Sequence, residues 1–369
     1  MKMVTLVRTM TGVGLAMLAM VLVVGCASGV DYVEPDDELQ AKLDRYDVEE
    51  REVRFSAAGI DVYGTLTVPQ EASATPGVVL VAGSGPTDRD WNNPLLPGDD
   101  GTAIELADRL AGAGIAVLRY DKRGTGLTEA TETVRWHDYL EEVEAAVETL
   151  ADKETVDDGQ VFVAGHSEGG THALRAASED RIDVAGVLLL ATAGRSMERL
   201  VIDQVTDQLS EAGLTDDARR AELASLERAL ELISDGERVD AHRVSDIPGL
   251  VSLVDTLQQS HAHEFAAELL VWDPIRAVGR LDTSLLILMG RKDTQIDVER
   301  DARRLYEGAS GEDRRVQLAL LDDADHVLKH QPGPRGNLSS QHSLTYNDPG
   351  RDLDDEALEA IVTWIYDTL

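Results

Sequence analysis

Val161-Phe162-Val163-Ala164-Gly165-His166-Ser167-Glu168-Gly169-Gly170 decides how the rest of this chain is read. Its first four residues form a short apolar run that suits a buried strand, and residues 171–177 suit a helix. Between them, Gly-His-Ser-Glu-Gly fits a sharp strand-to-helix turn of the Gly-x-Ser-x-Gly type, a nucleophile elbow. A serine hydroxyl is a weak nucleophile until a base takes its proton and donors receive the charge developing on the attacked oxygen. Such a turn projects Ser167 into open space and aims the backbone N–H of Glu168, at the start of the helix, toward the same point. Gly165 and Gly169 leave room for the tight backbone.

Working outward, residues 52–68 alternate apolar and polar side chains on either side of Ala58-Gly59, the pattern of an antiparallel hairpin. Strand-like runs at 78–81, 115–118, 161–164 and 184–190 then alternate with helical runs at 103–111, 139–150 and 171–177. This βαβ rhythm predicts an α/β protein with a mostly parallel, doubly wound sheet and helices on both faces. The rhythm stops near residue 195. Residues 195–277 are Leu- and Ala-rich, heavily charged and free of strand-like runs. It resumes with a strand at 285–289, a helix at 298–305, a strand at 316–321 and a last helix at 354–366, while 332–350 reads as a loop. The expected organisation is a core of residues 49–194 and 278–369, with residues 195–277 inserted as a helical cap.

An elbow serine calls for an acid and then a histidine after later strands, in that chain order. Asp293 follows the 285–289 run and His326 follows the 316–321 run. Catalytic groups in open α/β sheets collect at the carboxyl ends of strands, where both would lie. Asp297 is the alternative acid. Asp323 and Asp325 are nearer His326 in sequence, but the acid must meet the imidazole edge away from Ser167, and Asp325 is expected to point elsewhere. A second oxyanion donor is expected from the loop Gly83-Ser84-Gly85-Pro86-Thr87-Asp88-Arg89-Asp90, at the Ser84 amide first and Gly85 next. No Gly-Lys-Ser/Thr pattern follows it, which argues against a phosphate cradle.

Tyr120-Asp121-Lys122-Arg123-Gly124-Thr125-Gly126 reads as a neighbouring loop whose charges brace structure. Glu168 puts a negative charge beside a developing oxyanion, so its side chain is expected to turn away toward Arg89 or Arg123. His166 is expected to shape the site, and His172 lies on the following helix. His261 and His263, two apart, do not share a helix face, so no metal site is expected, and no cofactor.

Acidic residues outnumber basic ones 69 to 34, a net charge of −35. Binding to nucleic acid is disfavoured, because it needs basic surface. Arginines number 28 and lysines 6. This balance suits work in high salt, where screening relieves self-repulsion, although GC-rich coding would bias composition the same way. At the N-terminus Lys2 and Arg8 precede an apolar run over residues 13–24 that closes on Val23-Val24-Gly25-Cys26. This resembles the lipobox of lipoproteins. It implies a signal peptide over residues 1–25, lipidation at Cys26, an acidic tether over 26–48, and a membrane-anchored body outside the cytoplasm. An uncleaved membrane anchor is the plain alternative. Cys26 is the sole cysteine, so no disulfide forms within the chain.

Taken together, Gly83 to Asp90, Asp121 to Gly126, Gly165 to Gly170, Gly290-Arg291-Lys292-Asp293 and Asp325-His326 resemble the α/β-hydrolase superfamily. Within it they are similar to the esterase-like group related to serine aminopeptidases and dienelactone hydrolases. The likeness spans about residues 50–369 apart from the poorly marked insert. Thr283-Ser284 departs from it, standing where such proteins often carry a proline. The resemblance implies the α/β-hydrolase fold and a triad of Ser167, Asp293 and His326. It also implies oxyanion amides at Glu168 and Ser84 or Gly85, and a small-molecule ester substrate. An amide substrate, as for an aminopeptidase or amidase, is the nearest competitor, and a non-catalytic binding lipoprotein is the competitor from another class. Motifs of this kind specify fold more firmly than substrate, and neither the substrate nor the oligomeric state follows from them.

Overall fold

The computed structural model describes Leu43, residues 45–309 and residues 314–369. The expected signal peptide, Cys26 and most of the tether lie outside the described residues. The far end of that tether lies on the body: Leu43 is buried, and the Tyr46 amide donates to the Gly112 carbonyl at 3.0 Å.

The hairpin forms from β1 (Val48–Ala57) and β2 (Ile60–Pro69), paired antiparallel from Ala57↔Ile60 to Val48↔Pro69. Its two turn residues, Ala58 and Gly59, have φ of 46° and 78°, and two positive φ angles in a two-residue loop match the strands' right-handed twist. The alternation continues through β3 (Thr75–Val81), α1 (Thr102–Gly112), β4 (Ala116–Tyr120), α2 (Trp136–Ala151), β5 (Val156–His166), α3 (Glu168–Ser178) and β6 (Gly186–Leu190). After the insert come β7 (Ser284–Gly290) and β8 (Val316–Leu321). The eight strands lie in the order β1-β2-β4-β3-β5-β6-β7-β8, with β2 antiparallel to β4 and every pair from β4 to β8 parallel.

Strand β3 shows how the sheet divides two cores. Its side chains alternate between faces, so Val79 and Val81 pack with α2, α3 and the insert, while Val78 and Leu80 pack with α1 and the last helix, α11 (Asp355–Thr368). Both faces are covered, which is why β3, β4 and β6 are apolar or buried along their whole length.

The insert folds as α4 (Met197–Glu211), α5 (Asp216–Ser234), α6 (Ala241–Val244), α7 (Pro248–Leu257) and α8 (His263–Val271), and α9 (Pro274–Val278) returns the chain to the sheet. Leu226, Leu230 and Ile233 of α5 recur at helical spacing and are buried, and they join the insert to the apolar core on that face of the sheet. It docks on α2 through Trp136, whose ring lies 6.1 Å from Phe265 and 5.3 Å from Trp272, with the Arg175 guanidinium 4.2 Å from its centroid.

Its entry point is fixed by Asp301. This fully buried carboxylate accepts from the amides of Gly194 (2.9 Å), Arg195 (3.1 Å) and Asp297 (2.9 Å) and from Arg195 Nε (2.9 Å). Asp301 sits in a π-helical turn, Val298–Ala302, which continues into α10 (Arg303–Gly308) where a regular helix over 298–305 is expected from sequence. Removing one partner of a buried ion pair strands the other charge. Asp301→Ala should therefore lower stability by about 3–5 kcal/mol in urea denaturation. Asp216→Ala, whose partner Arg219 is reached at an exposed helix end, should change it by less than about 1 kcal/mol. Equal small effects would show that Asp301 does not anchor the insert.

Candidate active site

At the end of β5 the backbone turns so sharply that Ser167 takes φ 52° and ψ −119°. A residue with a Cβ rarely holds this conformation, and the surroundings must enforce it. They do so from both sides: the Ser167 amide donates to Leu190 O (2.8 Å), and Ser167 O accepts from the Gly170 amide (3.0 Å). The first turn of α3 is pressed against the sheet. A Cβ on Gly165 would lie 2.3 Å from Gly169 O, one on Gly169 2.3 Å from Val81 O, and one on Gly170 1.9 Å from Thr192 Oγ1.

The acid and the base come from adjacent strands whose following loops are laced together. Gly290 pairs with Leu321 in the sheet, and the Lys292 amide donates to Ala324 O at 3.0 Å. A Cβ on Gly290 would lie 2.0 Å from that same carbonyl oxygen. This close approach brings His326 Nδ1 to 2.8 Å from Asp293 Oδ2. The other oxygen, Oδ1, accepts from the Gln295 (2.7 Å) and Ile296 (2.9 Å) amides. Since a carboxylate only accepts, Nδ1 carries the imidazole proton and Nε2 is left as the basic edge.

Asp297 instead caps the π-helical turn through the Glu299 and Arg300 amides, and Asp323 pairs with Lys292 at 2.8 Å. Asp325 does point elsewhere. It accepts from the Val327 and Lys329 amides, His342 Nε2 (3.0 Å) and Arg351 Nη2 (2.6 Å), and so shapes the turn that presents His326. Burial opposes its charge, but His342 and Arg351 hold its carboxyl below the usual range. Ser167, Asp293 and His326 share one cavity of about 870 Å³, walled by α4 and by the 332–350 loop.

The expected oxyanion loop opens on the same cavity. The carbonyl of Gly83 accepts from the Lys122 ammonium and that of Ser84 from Thr87 Oγ1 (2.6 Å), while Gly85 takes φ 72°. No protein acceptor among the described residues takes up the amides of Ser84, Gly85 or Glu168. Asp121 braces the far end of the loop, accepting from the Arg89 amide (2.9 Å) and Arg89 Nη2 (2.8 Å). Arg123 is committed to Glu142 at 2.7 Å, and burial pushes the Glu142 carboxyl up to about 7 despite that pairing.

With both arginines taken, Glu168 pairs with neither, contrary to the expectation from sequence. Its Oε1 lies 3.6 Å from His172 Nε2. Trp136 Nε1 donates to His172 Nδ1 (2.9 Å), so Nε2 carries the proton and faces Glu168 from just beyond hydrogen-bond distance. Burial opposes the Glu168 charge, yet His172 and then Lys122 outweigh it and hold the carboxyl below its usual value. Two further lysines pin loops in the manner of Lys122. Lys292 donates to the Gln331 (2.9 Å) and Gly333 carbonyls, and Lys329 to the Asp100 carbonyl (2.5 Å).

Residues 101–332 match the family model described as serine aminopeptidase, S33. The chain belongs to that family. It is also 27% identical over 300 residues to the esterase EstD of Thermotoga maritima, an alignment covering 81% of this chain and 62% of the relative, so the chain spans about three fifths of that relative's length. An esterase of Pyrococcus furiosus superposes with a TM-score of 0.51 at 15% identity, covering 93% of this chain and 99% of that one. Est1E of Butyrivibrio proteoclasticus, solved with ferulic acid, superposes at 0.50 and 14% identity, covering 85% and 96%. At such identities the structural likeness establishes the α/β-hydrolase fold.

Membership of the S33 family leaves His166 unexplained, and sequence reasoning assigned it only a shaping role. Its ring stacks on Trp91 (4.7 Å, 26°) and lies 4.9 Å from His326, and its Nε2 donates to the His326 carbonyl at 2.8 Å. A Cβ on Gly83 would lie 3.0 Å from its Nδ1. One neutral imidazole thus links the elbow, the base and the oxyanion loop. Its place inside the Ser167 motif was the only signal for this. Tyr346, from the 332–350 loop, covers His326 from another side at 5.8 Å.

Burial, with His326 alongside, lowers the His166 pKa to about 3. An unfolded histidine takes its proton near 6.5, so the stability tied to neutral His166 is complete above that pH and drains away as pH falls toward 3. Between pH 7 and pH 5 wild type should lose about 2 kcal/mol more than His166→Gln in urea midpoints converted to free energy. Parallel curves for the two proteins would show that His166 is not held neutral.

Proposed function

We propose that this protein is a serine hydrolase acting on carboxylic esters. The observation that carries the reading is the 2.8 Å bond from His326 Nδ1 to Asp293 Oδ2 on the wall of the cavity that also holds the strained Ser167. That arrangement leaves Nε2 of His326 as the base for the serine hydroxyl. Ser167 Oγ attacks the acyl carbon as its proton passes to Nε2, and the amides of Glu168 and Ser84, or Gly85, receive the oxyanion. Collapse breaks the C–O bond, and His326 returns the proton to the departing alcohol. A water then repeats the sequence on the acyl-enzyme: its proton goes to His326, the acid product leaves, and Ser167 Oγ recovers the proton. Asp293 supports the imidazolium in both halves without taking its proton.

The esterase name of the Thermotoga relative favours an ester. The family description, serine aminopeptidase, favours an amide and is the second reading. The insert, through α4, walls the cavity and would select the substrate's acyl or alcohol part. The body is tethered outside the cytoplasm through a lipid on Cys26, and the −35 charge suits it to high salt.

Ser167→Ala should cut turnover by at least about 10⁴-fold while the protein stays folded, and should abolish labelling by a fluorophosphonate. Folded wild-type protein that takes no fluorophosphonate on Ser167 would sink the enzyme reading. In high salt, p-nitrophenyl esters should turn over faster than aminoacyl anilides, and the reverse ranking would hand the site to amides. Cys26→Ser should release the full chain from membranes, whereas unaltered membrane retention would contradict the lipid anchor.

A further inference from the structure

Three consecutive charged residues follow β4, and each is buried with a distinct task. Asp121 holds Arg89, Arg123 holds Glu142, and Lys122 holds no carboxylate at hydrogen-bond distance among the described residues. Its ammonium, with the residue 4% exposed, donates to the Gly83 carbonyl. Burial lowers the Lys122 pKa, and the carboxylates of Glu168 and then Glu142 act against that loss of charge. A buried ammonium is costly, and a neutral side chain would fill the same space. The geometry of the peptide it grips supplies a reason for it.

In a planar trans peptide the carbonyl of one residue and the amide of the next point in opposite directions. Gly83 O and Ser84 N–H belong to one such plane. A cation that draws Gly83 O to one side therefore turns the Ser84 amide to the other. Gly83 lacks a side chain, so its backbone is free to rotate, and a Cβ there would crowd His166 Nδ1 at 3.0 Å. Thr87 Oγ1 fixes the next carbonyl, that of Ser84 (2.6 Å), so two successive carbonyls are tied down and the amides of Ser84 and Gly85 meet no protein acceptor among the described residues. Gly83 and Ser84 line the cavity together with Ser167.

We propose that Lys122 is a positioning residue for the oxyanion site: by holding the Gly83 carbonyl it aims the Ser84 amide at the oxygen attacked by Ser167. The inference rests on the serine-hydrolase reading above and adds to it the element that orients the second donor. Lys122 also sets a positive charge near Glu168, whose amide is the first donor, and so offsets a carboxylate that would otherwise oppose charge on the substrate oxygen. The same ammonium polarises the Gly83–Ser84 peptide, which makes its N–H a stronger donor. Lysine suits the task, because a compact ammonium acts as a point charge on a single carbonyl.

The test compares Lys122→Met, which keeps length and removes the donor, with Lys122→Gln, which keeps a neutral donor. For folded Lys122→Met, kcat on a p-nitrophenyl ester should fall about 10²-fold, the scale of one lost oxyanion donor, with KM within about threefold. Affinity for a boronic acid, which forms a tetrahedral adduct on Ser167, should fall in step with kcat/KM, while fluorophosphonate still labels every molecule in the end. Lys122→Gln should recover part of the loss. A fall in the labelled fraction, with wild-type kcat per labelled site, would mean that Lys122 only supports folding and would overturn the proposal. So would a fully active Lys122→Met.

If neither variant folds, wild-type protein labelled with 15N-serine decides. Boronate should shift the Ser84 amide proton downfield, and an unmoved Ser84 resonance overturns the assignment. Failure of wild type to react with fluorophosphonate at all would fail the serine-hydrolase reading instead, and is distinct from each of these outcomes.

Discussion

One strained residue sets the terms for everything around it. Ser167 holds φ 52° only because Leu190 O takes its amide and the Gly170 amide takes its carbonyl, while α3 is pressed against the sheet closely enough to forbid a Cβ at 165, 169 or 170. A strain of order 1–3 kcal/mol persists only where surrounding packing over-determines the backbone. Here that packing is the buried middle of the parallel sheet, β3, β5 and β6, covered on both faces. The elbow could not be moved to an edge strand, because the enforcing neighbours on each side would be gone.

Around that fixed point the protein uses buried charge to set backbone direction. Asp293 turns the imidazole, Asp325 shapes the turn that carries it, Asp301 fixes the entry to the insert, and Asp121 braces the 83–90 loop. Each is a carboxylate whose oxygens are satisfied by amides together with a cationic side chain or, for Asp293, the His326 imidazole, which is the condition for keeping such a group inside. Among the described residues the acidic side chains are therefore two populations. Most dress the surface, and a few, fully desolvated, order loops at the carboxyl edge of the sheet.

Much of this was legible in the sequence, for identifiable reasons. The hairpin and the βαβ rhythm are local patterns of period two and 3.6, and nothing in the tertiary structure opposes them. Ser167 was legible because its turn demands small neighbours within four residues. Asp293 and His326 were legible because each follows a strand directly, in an order the sheet imposes. The π-helical turn at Val298–Ala302 was not, since its winding belongs with contacts that Asp301 makes to Gly194 and Arg195, about a hundred residues away in sequence. The partner of Glu168 was misread for a similar reason: Arg89 and Arg123 were plausible until the fold committed them to Asp121 and Glu142. The work of His166 depends on Trp91, Gly83 and His326, which only the folded chain assembles.

The scarcity of lysine has a consequence that composition alone does not suggest. Four of the six lysines lie among the described residues, and three of these, Lys122, Lys292 and Lys329, are buried with their ammonium groups on main-chain carbonyls. Lys153 alone of the four is partly exposed. To an amine-reactive reagent the folded body is thus almost blank. Acylation at Lys122, Lys292 or Lys329 would register only the moments when the loops around the cavity come away from their pins, and its rate at each would measure, loop by loop, how often the rim of the site opens.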